Sequence, residues 1–176
     1  EESVLRTMQA LSTHLGAADK VTAIAFARQP HLIADQLGGD RAGELVDLVA
    51  ATPSEGGTNL EEALRLADTL ATRQFEPGAI NRIVLITDGA ANLGDAAPES
   101  LKEKVVEMRQ RGIAFDACGV GANGLNDTVL EALTREGDGR YYFLDRPEDA
   151  DAKFVRQLAG ALRPAAKNVK VQVQFN

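Results

Sequence analysis

Ile83-Val84-Leu85-Ile86-Thr87-Asp88-Gly89 is an apolar, β-branched run that stops abruptly at a carboxylate and a glycine. Consecutive apolar residues without alternation predict a strand covered on both faces, the signature of a parallel sheet between helical layers. Upstream, Gly56-Gly57-Thr58-Asn59-Leu60 forms a glycine turn that delivers a hydroxyl to the start of a helix. Strand ends and helix starts meet on one rim of such a sheet. The Thr58 hydroxyl and the Asp88 carboxylate can therefore converge on a single hard cation. They do not complete its shell, because Mg²⁺ takes about six oxygens.

Working outward from this pair, strand and helix alternate. Val4, Leu5, Met8, Leu11 and Leu15 lie at helical spacing, with Gly16 as terminator. A strand is expected over Val21–Ala27, ended by Pro30, and an edge strand over His31–Leu37 before Gly38-Gly39. Leu45, Val46, Leu48 and Val49 mark a short helix that stops near Pro53, and Leu60, Leu64, Ala67 and Ala71 line one face of a longer one. Beyond Ile83–Ile86, a helix carries Leu101, Val105 and Met108 up to Gly112, and a strand runs over Ile113–Val120. A helix through Val129, Leu130 and Leu133, a strand at Tyr141–Leu144 and a helix from Phe154 to Leu162 complete the order. The pattern predicts a doubly wound, Rossmann-like α/β fold with a mostly parallel sheet and helices on both faces. Residues 1–167 form the expected domain. The alternating tail Val171-Gln172-Val173-Gln174-Phe175 within 168–176 reads as an edge strand or the start of a following module.

The chain has 176 residues, 44% of them hydrophobic and 26% charged, enough for one sizeable core. Its net charge of -7 argues against nucleic acid or an anionic membrane as partner. No run approaches the ~18 apolar residues of a membrane span. Cys118 is the single cysteine, which excludes an internal disulfide and thiolate metal sites and suggests a small core residue.

Plainer roles compete with the sharper ones. Thr58-Asn59-Leu60-Glu61 satisfies Thr-x-x-Glu, a capping box, and a hydroxyl bound to a cation is a poorer cap. Gly119-Val120-Gly121-Ala122-Asn123-Gly124, with Asp145 downstream, meets the literal dinucleotide fingerprint. However, Leu125-Asn126-Asp127 continue the loop, and the helix cap falls at Asn126 or Asp127 rather than within the glycines. A plain turn is the better reading. His14 and His31 have no Ser or Cys nucleophile beside them, so no catalytic triad is found. Asp145-Arg146-Pro147-Glu148-Asp149 reads as an acid-rich helix start. Tyr141 and Tyr142 alternate faces, one for the core and one as a rim contact.

The order helix, strand, Gly-Gly-Thr-Asn, apolar strand ending Thr-Asp-Gly, then strand ending Gly-Val-Gly resembles a von Willebrand factor type A domain. Asn92-Leu93-Gly94-Asp95, Asn126-Asp127 and the tail ending Phe175-Asn176 are similar to bacterial members that continue into a further domain. The resemblance implies a metal-ion-dependent adhesion site binding Mg²⁺ or Ca²⁺, with Thr58 and Asp88 as ligands and Asp88 able to act through a water. Gly56, Gly57 and Gly89 would let the loops approach the ion, while Asn59, Ala90 and Asn92 line a rim for the partner. The Asp-x-Ser-x-Ser motif that completes the family site has no counterpart: Ser3 and Ser12 are not preceded by aspartate at that spacing. The expectation is a fold lacking its first central strand, with weak or absent metal binding in this chain.

The function implied is a non-catalytic, adhesion-type module that binds another protein, whose acidic side chain fills the cation's open position. The alternatives are a regulatory or assembly subunit that partners an ATPase, and a nucleotide-binding enzyme resting on Gly119–Gly124. An extracytoplasmic or membrane-anchored setting is expected ahead of a cytoplasmic one.

Overall fold

The computed structural model describes residues 2–52, 59–87, 98–121, 127–144 and 155–161. The chain enters through α1 (Glu2–Ser12) and then folds an antiparallel hairpin, β1 (Lys20–Phe26) and β2 (Pro30–Gly38). The first strand ends before Pro30, as expected, and Pro30 itself opens β2, paired with Phe26, the first strand position, where proline is tolerated. A short 3₁₀ turn over Gly39–Arg41 leads to α2 (Glu44–Ala50), followed by α3 (Leu60–Arg73) and β3 (Asn81–Thr87). Next come α4 (Pro98–Gln110), β4 (Ile113–Val120), α5 (Asp127–Glu136), β5 (Tyr141–Leu144) and α6 (Arg156–Ala161). Proline at the first position of α4 suits a helix start. Gly112, at φ 88°, makes the left-handed turn from α4 into β4.

β3, β4 and β5 form a parallel sheet in the order β3-β4-β5, with Ile83 opposite Phe115 and Cys118 opposite Tyr142. Helices cover both faces, as the doubly wound expectation requires. On one face Leu60 and Leu64 of α3, Leu101, Val105 and Met108 of α4, and Leu130 and Leu133 of α5 close over Leu85, Ile113, Phe115 and Ala117. On the other, Ala10 and Leu11 of α1 and Leu158 of α6 meet Val84, Ile86, Cys118, Val120, Tyr142 and Leu144. β4, flanked by strands on both sides, is the centre of the core.

β3 departs from expectation. Leu85 and Thr87 are buried, but Ile83, Val84 and Ile86 are only half-buried. The cause is lateral: β1-β2 and β3-β4-β5 are separate sheets, and among the described residues no strand pairs with the second edge of β3. α3 packs on strands of both sheets, β1 and β2 of the first and β3 of the second. The alternating tail, Phe154, Leu162 and Asp145–Asp149 lie outside the described residues.

Candidate functional site

Thr58 and Asp88, the expected metal ligands, lie outside the described residues, as do Gly56, Gly57, Gly89, Ala90 and Asn92. Their immediate neighbours are described. Thr87, the last residue of β3, is buried and pairs with Gly119 of β4. Asn59 stands at the head of α3, in extended conformation (φ -103°, ψ 94°), and its Oδ1 accepts the Glu62 N–H at 3.2 Å. The Asn59 N–H donates to the carbonyl of Ala27 at 2.7 Å. That bond ties the start of α3 to the end of the first hairpin strand.

This geometry corrects the capping expectation. The cap is Asn59 with Glu62 at the third helical position, one residue later than the Thr58/Glu61 box. Both residues are good caps, and tetrapeptide spacing cannot say which begins the helix. The outcome bears on the site, because the described cap of α3 is the residue that follows Thr58. Asn59, expected only on the partner rim, has this structural duty as well.

The same end of α3 borders a surface cleft of about 810 Å³, lined by Asn59, Arg28, Gln29, Glu62 and Arg65 among others. Arg65 and Glu62 form an ion pair. Sequence reasoning missed Arg28 and Arg65 as rim residues. The i,i+3 charge pair on α3 was legible, but nothing local places the hairpin turn beside it.

The competing motifs resolve as follows. Gly121, at φ 99°, donates its N–H to Leu144 O at 2.9 Å, turning the chain at the end of β4. α5 begins at Asp127, three residues after Gly124 in sequence, whereas the dinucleotide fingerprint needs its helix to begin within the glycines. The Asp127 carboxylate accepts the Tyr141 hydroxyl. Tyr141 and Tyr142 pack into the two opposite core layers, so Tyr141 is not a simple rim contact. Burial and the Asp127 charge push its phenol well above the ordinary range. His14 and His31 are exposed. Cys118 is fully buried, and burial pushes its thiol up to about 12. Among the described residues no group of three or more His, Cys, Asp or Glu could hold a metal, and no helix is long and apolar enough to cross a membrane.

A parallel sheet with helices on both faces defines an α/β, doubly wound domain. The chain belongs to the von Willebrand factor type A domain family, whose model matches residues 2–159. Among curated proteins it is 29% identical over 170 residues to the uncharacterized protein YfbK of Escherichia coli, covering 97% of this chain and 30% of that protein. It is 26% identical over 157 residues to the uncharacterized protein sll0103 of Synechocystis, covering 89% of this chain and 36% of the other. The chain thus spans about a third of these relatives.

Solved structures with the same fold include a von Willebrand factor type A protein from Catenulispora acidiphila, at TM-score 0.75 and 16% identity over 92% of this chain and 38% of that one. BatB from Bacteroides thetaiotaomicron follows at 0.71 and 22%, covering 90% of this chain and 86% of that one. A mussel byssus matrix protein with a zinc-occupied adhesion motif matches at 0.67 and 14%, covering 92% of this chain and 44% of that one.

Proposed function

We propose that this domain is a non-catalytic protein-binding module that works through a divalent cation, Mg²⁺ or Ca²⁺, held in part by Thr58 and Asp88. The observation that carries the reading is the Asn59 cap. Asn59 Oδ1 takes the Glu62 N–H of α3, so a side-chain cap is in place at the residue that follows Thr58. A hydroxyl and a carboxylate are hard oxygen donors, the chemistry that Mg²⁺ and Ca²⁺ select. One sits immediately before a helix and the other immediately after a buried strand end. The zinc-occupied relative supports a cation on this fold; the choice of Mg²⁺ or Ca²⁺ rests on the donor set.

Two ligands leave the shell short. A strand pairing with the second edge of β3 and ending on the same rim would bring further oxygens beside Thr58 and Asp88. The cation would then polarise toward its remaining open position, where an acidic side chain of the partner binds. Arg28, Arg65 and Glu62 border the cleft beside Asn59, which gives the partner a polar surface to meet there. No separate observation favours an ATPase as the partner.

The test uses a version of the chain lengthened ahead of Glu1 by an apolar strand ending Asp-x-Ser-x-Ser. Fluorescence polarisation with aspartate- and glutamate-containing peptides should show binding in Mn²⁺ or Mg²⁺ that chelation abolishes. Binding that persists unchanged in excess chelator, or in the Asp88→Ala variant, overturns the cation-dependent reading.

A further inference from the structure

β5 has an open edge that the proposed function does not use. The carbonyls of Arg140 and Leu144 accept the N–H groups of Ala117 and Gly121, at 3.1 and 2.9 Å. Backbone groups alternate in direction along a strand. Tyr142 therefore also faces β4, whereas the N–H and C=O groups of Tyr141 and Phe143 face away from it. Among the described residues no strand pairs with that side. Phe143 is 44% exposed, although Tyr142 and Leu144 on either side of it are buried.

Edge strands are commonly blunted by charge, proline or a bulge. β2 has all three: it opens at Pro30, carries Asp35, and pairs with β1 through register shifts, with Gln36 at φ 51°. β5 has none. Its sequence is Tyr141-Tyr142-Phe143-Leu144, and its register with β4 is unbroken. At the start of β5 a cleft of about 1150 Å³ adjoins Tyr141 and Tyr142, with Arg135 of α5 and Gln157 of α6 also on its border. Its charged lining is balanced, Arg82, Arg135 and Arg140 against Asp116, Glu131 and Asp138, and Arg82 and Asp116 already form a buried ion pair between β3 and β4.

We infer that the outer edge of β5 and this cleft receive an extended, apolar, uncharged peptide segment of another protein, which adds to the sheet as a further strand. Main-chain hydrogen bonds to Tyr141 and Phe143 supply the attachment, as in other strand-addition modes, and a β-branched or aromatic residue covers the Phe143 ring. The balanced cleft selects for no net charge. A second copy of this chain is a poorer occupant: β5 is four residues long, or ~13 Å, and pairing two such edges falls short of the ~1,200 Å² of a stable dimer. A separate peptide continues past the strand into the cleft and so gains contact that a paired β5 lacks. The chain itself is poorly placed to fill the edge. α5 and α6 cover opposite faces, so, with β4-α5-β5 in the usual right hand, a parallel return through α6 onto the outer edge would be left-handed, against about 98% of such connections. β4 separates this edge from β3 and Asp88, so the inference stands without the metal reading.

The experiment is amide NMR and hydrogen exchange on the whole chain with a capped seven-residue peptide of alternating valine and threonine. Alternate residues of the peptide are N-methylated, so that one edge alone can pair and the peptide cannot self-associate. The Tyr141 and Phe143 amides should exchange fast in the free chain, then shift saturably and become protected with peptide. Phe143→Pro removes an outward N–H and no ladder bond to β4; it should abolish the response while β4 amides keep their protection. Phe143→Lys, which leaves the backbone intact, should weaken binding at least about tenfold, and Asp88→Ala should leave it unchanged. Any of four outcomes overturns the proposal. The peptide N-methylated at every residue binds equally well; a version with lysine or glutamate in place of valine binds tighter; Phe143→Lys binds as the parent does; or the two amides are already protected in the free chain. In the last case, protection that survives dilution assigns the edge to the chain itself, and protection lost on dilution assigns it to a second copy.

Discussion

Asn59 shows how much a single residue decides. The segment Thr58-Asn59-Leu60-Glu61-Glu62 holds two overlapping caps, and both obey the same spacing rule. The glycine turn, the helix and its position were legible in the sequence; the choice of cap was not, because the Ala27 carbonyl that anchors the Asn59 N–H is distant in sequence. Asn59→Ala should lower stability by about 1 kcal/mol, whereas Asn59→Ser should recover most of it. Thr58→Ala should be nearly silent. Urea denaturation of the variants checks this, and a large loss in Thr58→Ala would return the cap to Thr58. Cys118 gives a second prediction at this scale. Its thiol titrates at 9.0 when free and is pushed up to about 12 by burial, so the native state holds the proton more tightly than the unfolded chain. The stability this contributes is complete below pH 9 and drains away as pH rises toward 12. Tyr141 and Tyr142, also raised, act in the same direction. The urea midpoint should be flat from pH 7 to 8.5 and fall above about 9, less steeply in Cys118→Ala. An equal fall in both would remove Cys118 from this effect.

Among the elements, β4 is the reference strand. It is paired on both sides, and Phe115, Ala117, Cys118 and Val120 are all at most 1% exposed. β3 carries an equally apolar sequence but is half-buried, because one of its edges has no described partner. Composition reported what each strand prefers to be covered by. It could not report whether a lateral neighbour is in place, since pairing is a property of two segments. Hydrogen exchange separates the two strands: β4 amides should exchange last, near the global unfolding limit, while alternate β3 amides, those directed away from β4, exchange earlier. Uniform protection along β3 would mean that its outer edge is already filled. The Arg82–Asp116 pair also belongs at this scale, since it links β3 to β4. Asp116→Ala should cost about 3–5 kcal/mol by leaving a buried guanidinium uncompensated, measurable as a drop in the thermal midpoint.

At the scale of the whole molecule, the alternation of strands and helices and the family order of Gly-Gly-Thr, Thr-Asp-Gly and Gly-Val-Gly carried the fold, and the family match over residues 2–159 agrees. α3 packs on strands of both sheets, and in sequence Thr58 stands just ahead of the α3 cap while Asp88 directly follows β3. The Arg82–Asp116 pair escaped the sequence reading, because the two residues are separated by the whole of α4 and meet only in the parallel register of β3 and β4. The claim on which the functional reading turns is that Thr58 and Asp88 are cation ligands short of a full shell. Calorimetric titration with Mn²⁺ tests it most directly, on this chain and on the version lengthened by a strand ending Asp-x-Ser-x-Ser. Weak or undetectable binding to the first is predicted, together with clear binding to the second that falls at least about tenfold in Thr58→Ala and Asp88→Ala. Tight binding to the unextended chain, or binding to the extended one that ignores Asp88, would contradict it.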